Sequence, residues 1–95
     1  MTYQITQHTR RQAKQHGVTV KPSSKKNKKI DVVRDGKVIA SVGDERYPDF
    51  GTYLKMEAKG KVQKGTANDR RRAYKARHGK YPRGSAGYWA GELLW

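Results

Sequence analysis

The chain has 95 residues, enough for one domain and too few for two, and only 34% of them are hydrophobic, so any core is small and the stability margin narrow. Lys and Arg number 22 against 8 Asp and Glu, a net charge of +14 that concentrates anions around the protein and favours DNA, RNA, anionic lipid or an acidic protein as partner. The absence of cysteine excludes disulfide staples and thiolate metal sites, and no apolar run approaches the roughly 18 residues needed to span a membrane.

The charge falls into three zones. Residues 1–29 carry 8 basic residues and no acid; residues 30–65 carry 7 basic and 6 acidic residues; residues 66–95 carry 7 basic residues against Asp69 and Glu92. A nearly neutral centre flanked by cationic segments reads as a scaffold with basic material on both sides. The opening residues, Met1 to Gln7, lack the apolar centre of a signal peptide, so an intracellular or particle-borne protein is expected.

In the first zone, Thr6 to His16 is compatible with a short helix stopped by Gly17. With Ile5 and Ala13 as its apolar content, docking is expected to be weak. Val18-Thr19-Val20 reads as extended. The stretch Lys21 to Lys29 holds five lysines in nine residues and nothing aliphatic beyond Pro22, so it is expected to stay flexible without a partner. Residues 1–29 are therefore expected as a largely extended or flexible basic arm, and residues 30–95 as the folded domain.

That domain starts with the clearest local signal. Asp35-Gly36 separates two β-branched runs, which predicts a hairpin with a type I′ turn, Val33 facing Val38 and Val32 facing Ile39. Apolar residues on both faces call for cover on each. An aromatic loop, Asp44 to Gly51, leads to a helical turn over Thr52 to Ala58 and a glycine-containing connector, Lys59 to Gly65. Thr66 or Asn68 caps the next predicted helix, which runs to about His78 with Asp69 near its positive end. Ala73, Tyr74 and Ala76 form its expected inward stripe. After Ser85, a second candidate cap, Ala86, Trp89, Ala90 and Leu93 repeat at helical spacing and are expected to close the core against the hairpin. The expected fold is thus a small single α+β domain, a β-hairpin packed on one or two short helices with a third strand as an option, and a basic N-terminal arm.

Several of these segments, taken together, resemble a known family. They are Lys28-Lys29-Ile30-Asp31-Val32, Asp35-Gly36-Lys37, Tyr47-Pro48-Asp49-Phe50, Arg71-Arg72-Ala73-Tyr74-Lys75-Ala76-Arg77-His78, and Gly87-Tyr88-Trp89 followed by Leu93-Leu94-Trp95. The order of motifs over residues 25–95 resembles a family of small, basic, virus-encoded proteins of large DNA viruses of algae and amoebae and of some bacterial viruses. Arg46 departs from that pattern, which tends to carry glycine before the tyrosine, and the spacer of residues 55–65 varies in length within it. The resemblance implies a viral origin, a shared fold, and a place in the virion or the host-cell interior, in the cytoplasm or the nucleus. It carries no activity with it.

The leading functional candidates are cations. Arg70, Arg71, Arg72, Lys75 and Arg77 crowd two helical turns, and Arg10, Arg11, Lys25, Lys26, Lys28 and Lys29 load the arm. Guanidinium forks match phosphate oxygens bidentately, and several such contacts bind nucleic acid without reading its bases. The competing reading is a solvated face with one arginine held by Asp49 or Glu45. A second functional class is a virion structural or capsid-associated protein whose basic arm docks on acidic capsid or host protein surfaces. A third is a small inhibitor that clamps an acidic host protein. A metal-dependent nuclease using Asp44, Glu45 and Asp49 with His78 is the catalytic alternative, but these acids lack a recognised ligand spacing, and no enzyme, cofactor or metal is expected. Tyr47, Phe50, Tyr53, Tyr74, Tyr81, Tyr88, Trp89 and Trp95 are candidate stacking surfaces for unpaired bases, but in a chain this poor in aliphatics most are assigned to the core, with Tyr81 as the exception.

Overall fold

The β-branched runs form β2 (Ile30–Arg34) and β3 (Lys37–Val42), antiparallel and joined by the expected two-residue turn. Both turn residues have positive φ, 52° at Asp35 and 76° at Gly36, as a type I′ turn requires. Val33 lies opposite Val38, but Val32 pairs with Ala40 and leaves Ile39 as the extra residue of a β-bulge. At the hairpin tip, Val38 stays 49% and Ile39 41% exposed, so the expected cover does not reach that end. It does reach the base, where Asp31 is buried and accepts hydrogen bonds from Ser23 Oγ and Ser41 Oγ, both at 2.6 Å.

These features come from a computed structural model that describes residues 3–78 and 80–95. It bears out a small single α+β domain, here with a three-stranded sheet and four helices. The stretch expected as a flexible arm is, from Tyr3 onward, folded onto the sheet. α1 (Gln7–Gln15) starts at Thr6, whose hydroxyl accepts from the Thr9 N–H, and stops before Gly17 at φ 68°. β1 (Thr19–Pro22) pairs antiparallel with β2, giving the order β1-β2-β3. The lysine-rich connection is a hydrogen-bonded turn in which Lys28 N–H donates to Lys25 O at 3.2 Å and Asn27 takes φ 67°.

Small side chains explain why α1 docks despite its poor apolar content. Thr9 and Ala13 are buried, and Thr6 fits against a bare helix backbone at Gly51, where a Cβ would lie 2.2 Å from Thr6 Oγ1. Polar contacts complete the seam: Gln12 Nε2 donates to Glu92 O at 2.9 Å, and His16 meets Trp89 edge-on.

α4 (Ala86–Leu93) closes the core as expected, capped by Ser85 accepting from the Tyr88 N–H. Its Trp89 and Leu93, with Leu94, pack on Ile30, Val32 and Val42, while Ala86 stays exposed. α2 (Phe50–Ala58) and α3 (Thr66–His78) form a second layer. Glu57 of α2 accepts from the Gly65 and Ala67 amides, so α3 is capped by its neighbour helix rather than by Thr66 or Asn68. α3 fully buries only Ala67, and Ala76 of the expected inward stripe is exposed, because the helix is held by long side chains rather than by an apolar face. Among the described residues no helix is long and apolar enough to cross a membrane.

One polar cluster ties these layers together. Asp49, fully buried, caps α2 through the Thr52 N–H, pairs with Lys29 Nζ at 3.0 Å and accepts from the Tyr3 hydroxyl. Lys29, a sequence candidate for phosphate contact, is 4% exposed and therefore serves the fold instead. Burial, with the Asp49 carboxylate alongside, pushes the Tyr3 phenol up. Leaving Lys29 charged and alone should be costly: Asp49→Asn is expected to lose about 3–5 kcal/mol in urea unfolding. The double variant Lys29→Met/Asp49→Asn, with no buried charge, should recover a large part of that loss.

Candidate nucleic-acid interface

α3 presents cations on two sides, and aromatic rings set their positions. On the first side the Arg71 guanidinium lies 4.6 Å from the centre of the Phe50 ring, which in turn meets the His8 ring edge-on at 4.8 Å. His8 senses this neighbourhood. Burial, then the charge of Arg71, hold its imidazole below the ordinary value; Arg11 and Lys75 push the same way, and Asp49 opposes them. His8 Nε2 has no hydrogen-bond partner among the described residues, as suits a neutral ring. Arg11 of α1 and Arg71 and Lys75 of α3, distant in sequence, thus all lie near enough for their charge to act on one imidazole.

On the second side Arg70 lies over the Tyr53 ring at 5.9 Å. Arg70, Tyr74, Arg77 and His78 follow one another at helical spacing and line a cleft of about 480 Å³, completed by Tyr47 and Trp95 among others. His78 stacks on Tyr74 at 4.1 Å and Trp95 stacks on it at 4.6 Å, nearly parallel at 21° and 8°. One ring face has no room for two such neighbours, so the order is His78, Tyr74, Trp95. Asp44 also lines the cleft, but it is engaged by Arg46, whose hydrogen bonds hold its carboxyl down at about 2 with a smaller pull from Lys28.

The eleven sequence candidates are thus distributed unevenly. Arg71 and Lys75 share one side of α3, with Arg11 of α1 near enough for its charge to act on the same imidazole, while Arg70 and Arg77 line the cleft on the other side and Lys28 is exposed. Arg10, Lys25 and Lys26 are exposed. Arg72 pairs with Asp69 at 2.6 Å, so the acid that holds an α3 arginine is neither Asp49 nor Glu45. Among the described residues, Lys29 and Arg72 are the members of the set engaged in ion pairs.

The residues considered for metal chemistry are scattered over other tasks. Asp49 is buried in the fold's ion pair, Asp44 faces Arg46, and His78 Nδ1 lies 2.9 Å from the Tyr81 hydroxyl. No group of three or more His, Cys, Asp or Glu that could hold a metal occurs among the described residues. The aromatics, candidates for base stacking in the sequence but mostly assigned there to the core, come together in a way the sequence does not reveal: Tyr47, Tyr53, Tyr74 and Trp95 line one cleft. Tyr81 is exposed as expected, yet Tyr47 is more so, at 64%. The signal for the cleft was the interleaving of Arg70, Tyr74 and Arg77 on one helix face.

The depressed imidazole fixes the sign of a pH effect. In the unfolded chain His8 takes up its proton near its ordinary value of about 6.5, whereas the folded protein resists it to lower pH. Stability is therefore fully present above about pH 6.5 and falls as acid is added below it. Asp31 extends the loss at lower pH: burial alone would raise its carboxyl, but hydrogen bonds from Ser23, Ser41 and the Ser24 backbone outweigh this and hold it down. Urea midpoints measured from about pH 8 to 5 should fall for the parent and fall less for His8→Gln.

No protein-family model, no curated protein and no solved structure matches this chain.

Proposed function

We propose that the protein binds nucleic acid through its phosphates, without base specificity, using α3 and the basic residues of α1 and the lysine turn. The observation that supports this most directly is a helix whose Arg70, Arg71, Lys75 and Arg77 lack an acid partner among the described residues, with Arg71 seated on the Phe50 ring beside His8. Cations drawn together without counter-charges repel one another, and a polyanion relieves that repulsion. Two of them are already aimed by aromatic rings, Arg70 by Tyr53 and Arg71 by Phe50. The proposed contact set is Arg10, Arg11, Lys25, Lys26, Lys28, Arg70, Arg71, Arg72, Lys75 and Arg77, without Lys29. Its place, by the sequence resemblance alone, is on viral nucleic acid in the particle or in the infected cell.

A second reading has one observation in its favour. Val38 and Ile39 at the hairpin tip expose apolar surface that phosphate contact does not use. A virion structural or capsid-associated protein would use such a tip, with its basic face docked on an acidic capsid or host surface.

Anisotropy titrations of labelled duplex and single-stranded DNA and RNA, from about 50 to 200 mM salt, decide between them. Phosphate binding predicts affinity that falls steeply with salt. The Arg11→Ala/Lys75→Ala variant should bind more weakly to every sequence and lower the salt slope by about two. Negligible binding near about 150 mM salt rejects the proposal and favours the protein partner.

A further inference from the structure

We infer that the cleft beside α3 takes one unpaired nucleobase of a single strand, with the flanking phosphates held by Arg70 and Arg77. This rests on the reading of the protein as a nucleic-acid binder and adds which form of nucleic acid the second side of α3 selects.

Size and lining both fit. A volume of about 480 Å³ lies in the range of small-molecule sites. The walls are aromatic: Trp95 is stacked on Tyr74, which His78 backs from the other face, and Tyr53 leans on Trp95 at 6.4 Å. With both faces of Tyr74 covered, the end ring Trp95 is the surface left to receive a base; it is set in place before any ligand arrives, and every base has a π-face to lay on it. In the loop before α2, Tyr47 lines the same cleft and is 64% exposed, with the Arg46 guanidinium 5.7 Å from its ring centre, so it offers a second aromatic side chain to an inserted ring.

Charge decides what kind of ring enters. An aromatic cage for a cationic ligand needs uncompensated rings or acids, whereas Arg70 and Arg77 stand in this lining and its one acid, Asp44, is engaged by Arg46. A planar ring carrying negative charge is favoured, and a nucleotide is that combination. A base within a duplex has both faces covered by its neighbours and cannot enter, so the strand must be unpaired at that point.

The test compares a short labelled single-stranded DNA with a duplex of the same length, on the parent protein and on Tyr47→Ala and Tyr47→Phe. The Tyr47 ring is too exposed for its removal to threaten folding. Tyr47→Ala should weaken single-strand binding about tenfold while leaving duplex binding within about twofold, and Tyr47→Phe should restore it. Single-strand binding should also change the tryptophan fluorescence of the parent more than duplex binding does. Duplex binding with no effect of Tyr47→Ala on the single strand, or an equal effect on both ligands, overturns the inference while leaving phosphate binding in place. Failure of the parent to bind either ligand overturns both.

Discussion

With its carboxylate sealed from solvent, Asp49 has to satisfy every lone pair inside the protein, and it does so from three separate stretches of chain. Tyr3 comes from the N-terminal segment, Lys29 from the base of the sheet, and the Thr52 amide from the first turn of α2. A carboxylate so placed sets where α2 begins and in which direction it runs. That choice then propagates. The first two turns of α2 hold Phe50 and Tyr53, whose faces receive Arg71 and Arg70, and its Glu57 caps α3. The proposed interface is therefore two steps removed from one buried ion pair.

α3 itself is an unusual helix for a domain this small. It turns a single alanine fully inward and relies on stacked rings, cation–π contacts and a borrowed cap. Each of these is worth at most about 1 kcal/mol at an exposed site, so the helix is held in many small increments. Such a helix can carry a dense row of arginines because little of its surface is committed to the core.

The legible parts of the fold were those decided by neighbours in sequence. Asp35-Gly36 dictates its own turn, Gly17 stops α1, and Ser85 caps α4, all within a few residues. The docking of α1 was not legible, since its seam is made of Thr6, Ala13 and Gly51, and small residues that allow close approach add nothing to a count of apolar bulk. Lys29 looked like its neighbours Lys25, Lys26 and Lys28; only the folded chain shows which of the four meets Asp49. The cleft was half visible. Its α3 wall follows from helical spacing, whereas Tyr47 and Trp95 arrive from distant segments that periodicity cannot bring together.

The bulge at Ile39 has a further consequence. β3 is an outer strand of the sheet, and Val38 and Ile39 lie exposed along it, the kind of edge on which a second chain can add a strand and start an aggregate. The extra residue disturbs the spacing of backbone donors and acceptors there, so an incoming strand in regular register finds its hydrogen bonds mismatched. What reads as an irregularity in the hairpin thus disfavours edge-to-edge pairing of copies, which matters most if a polyanion, as proposed, neutralises the charge that otherwise keeps them apart.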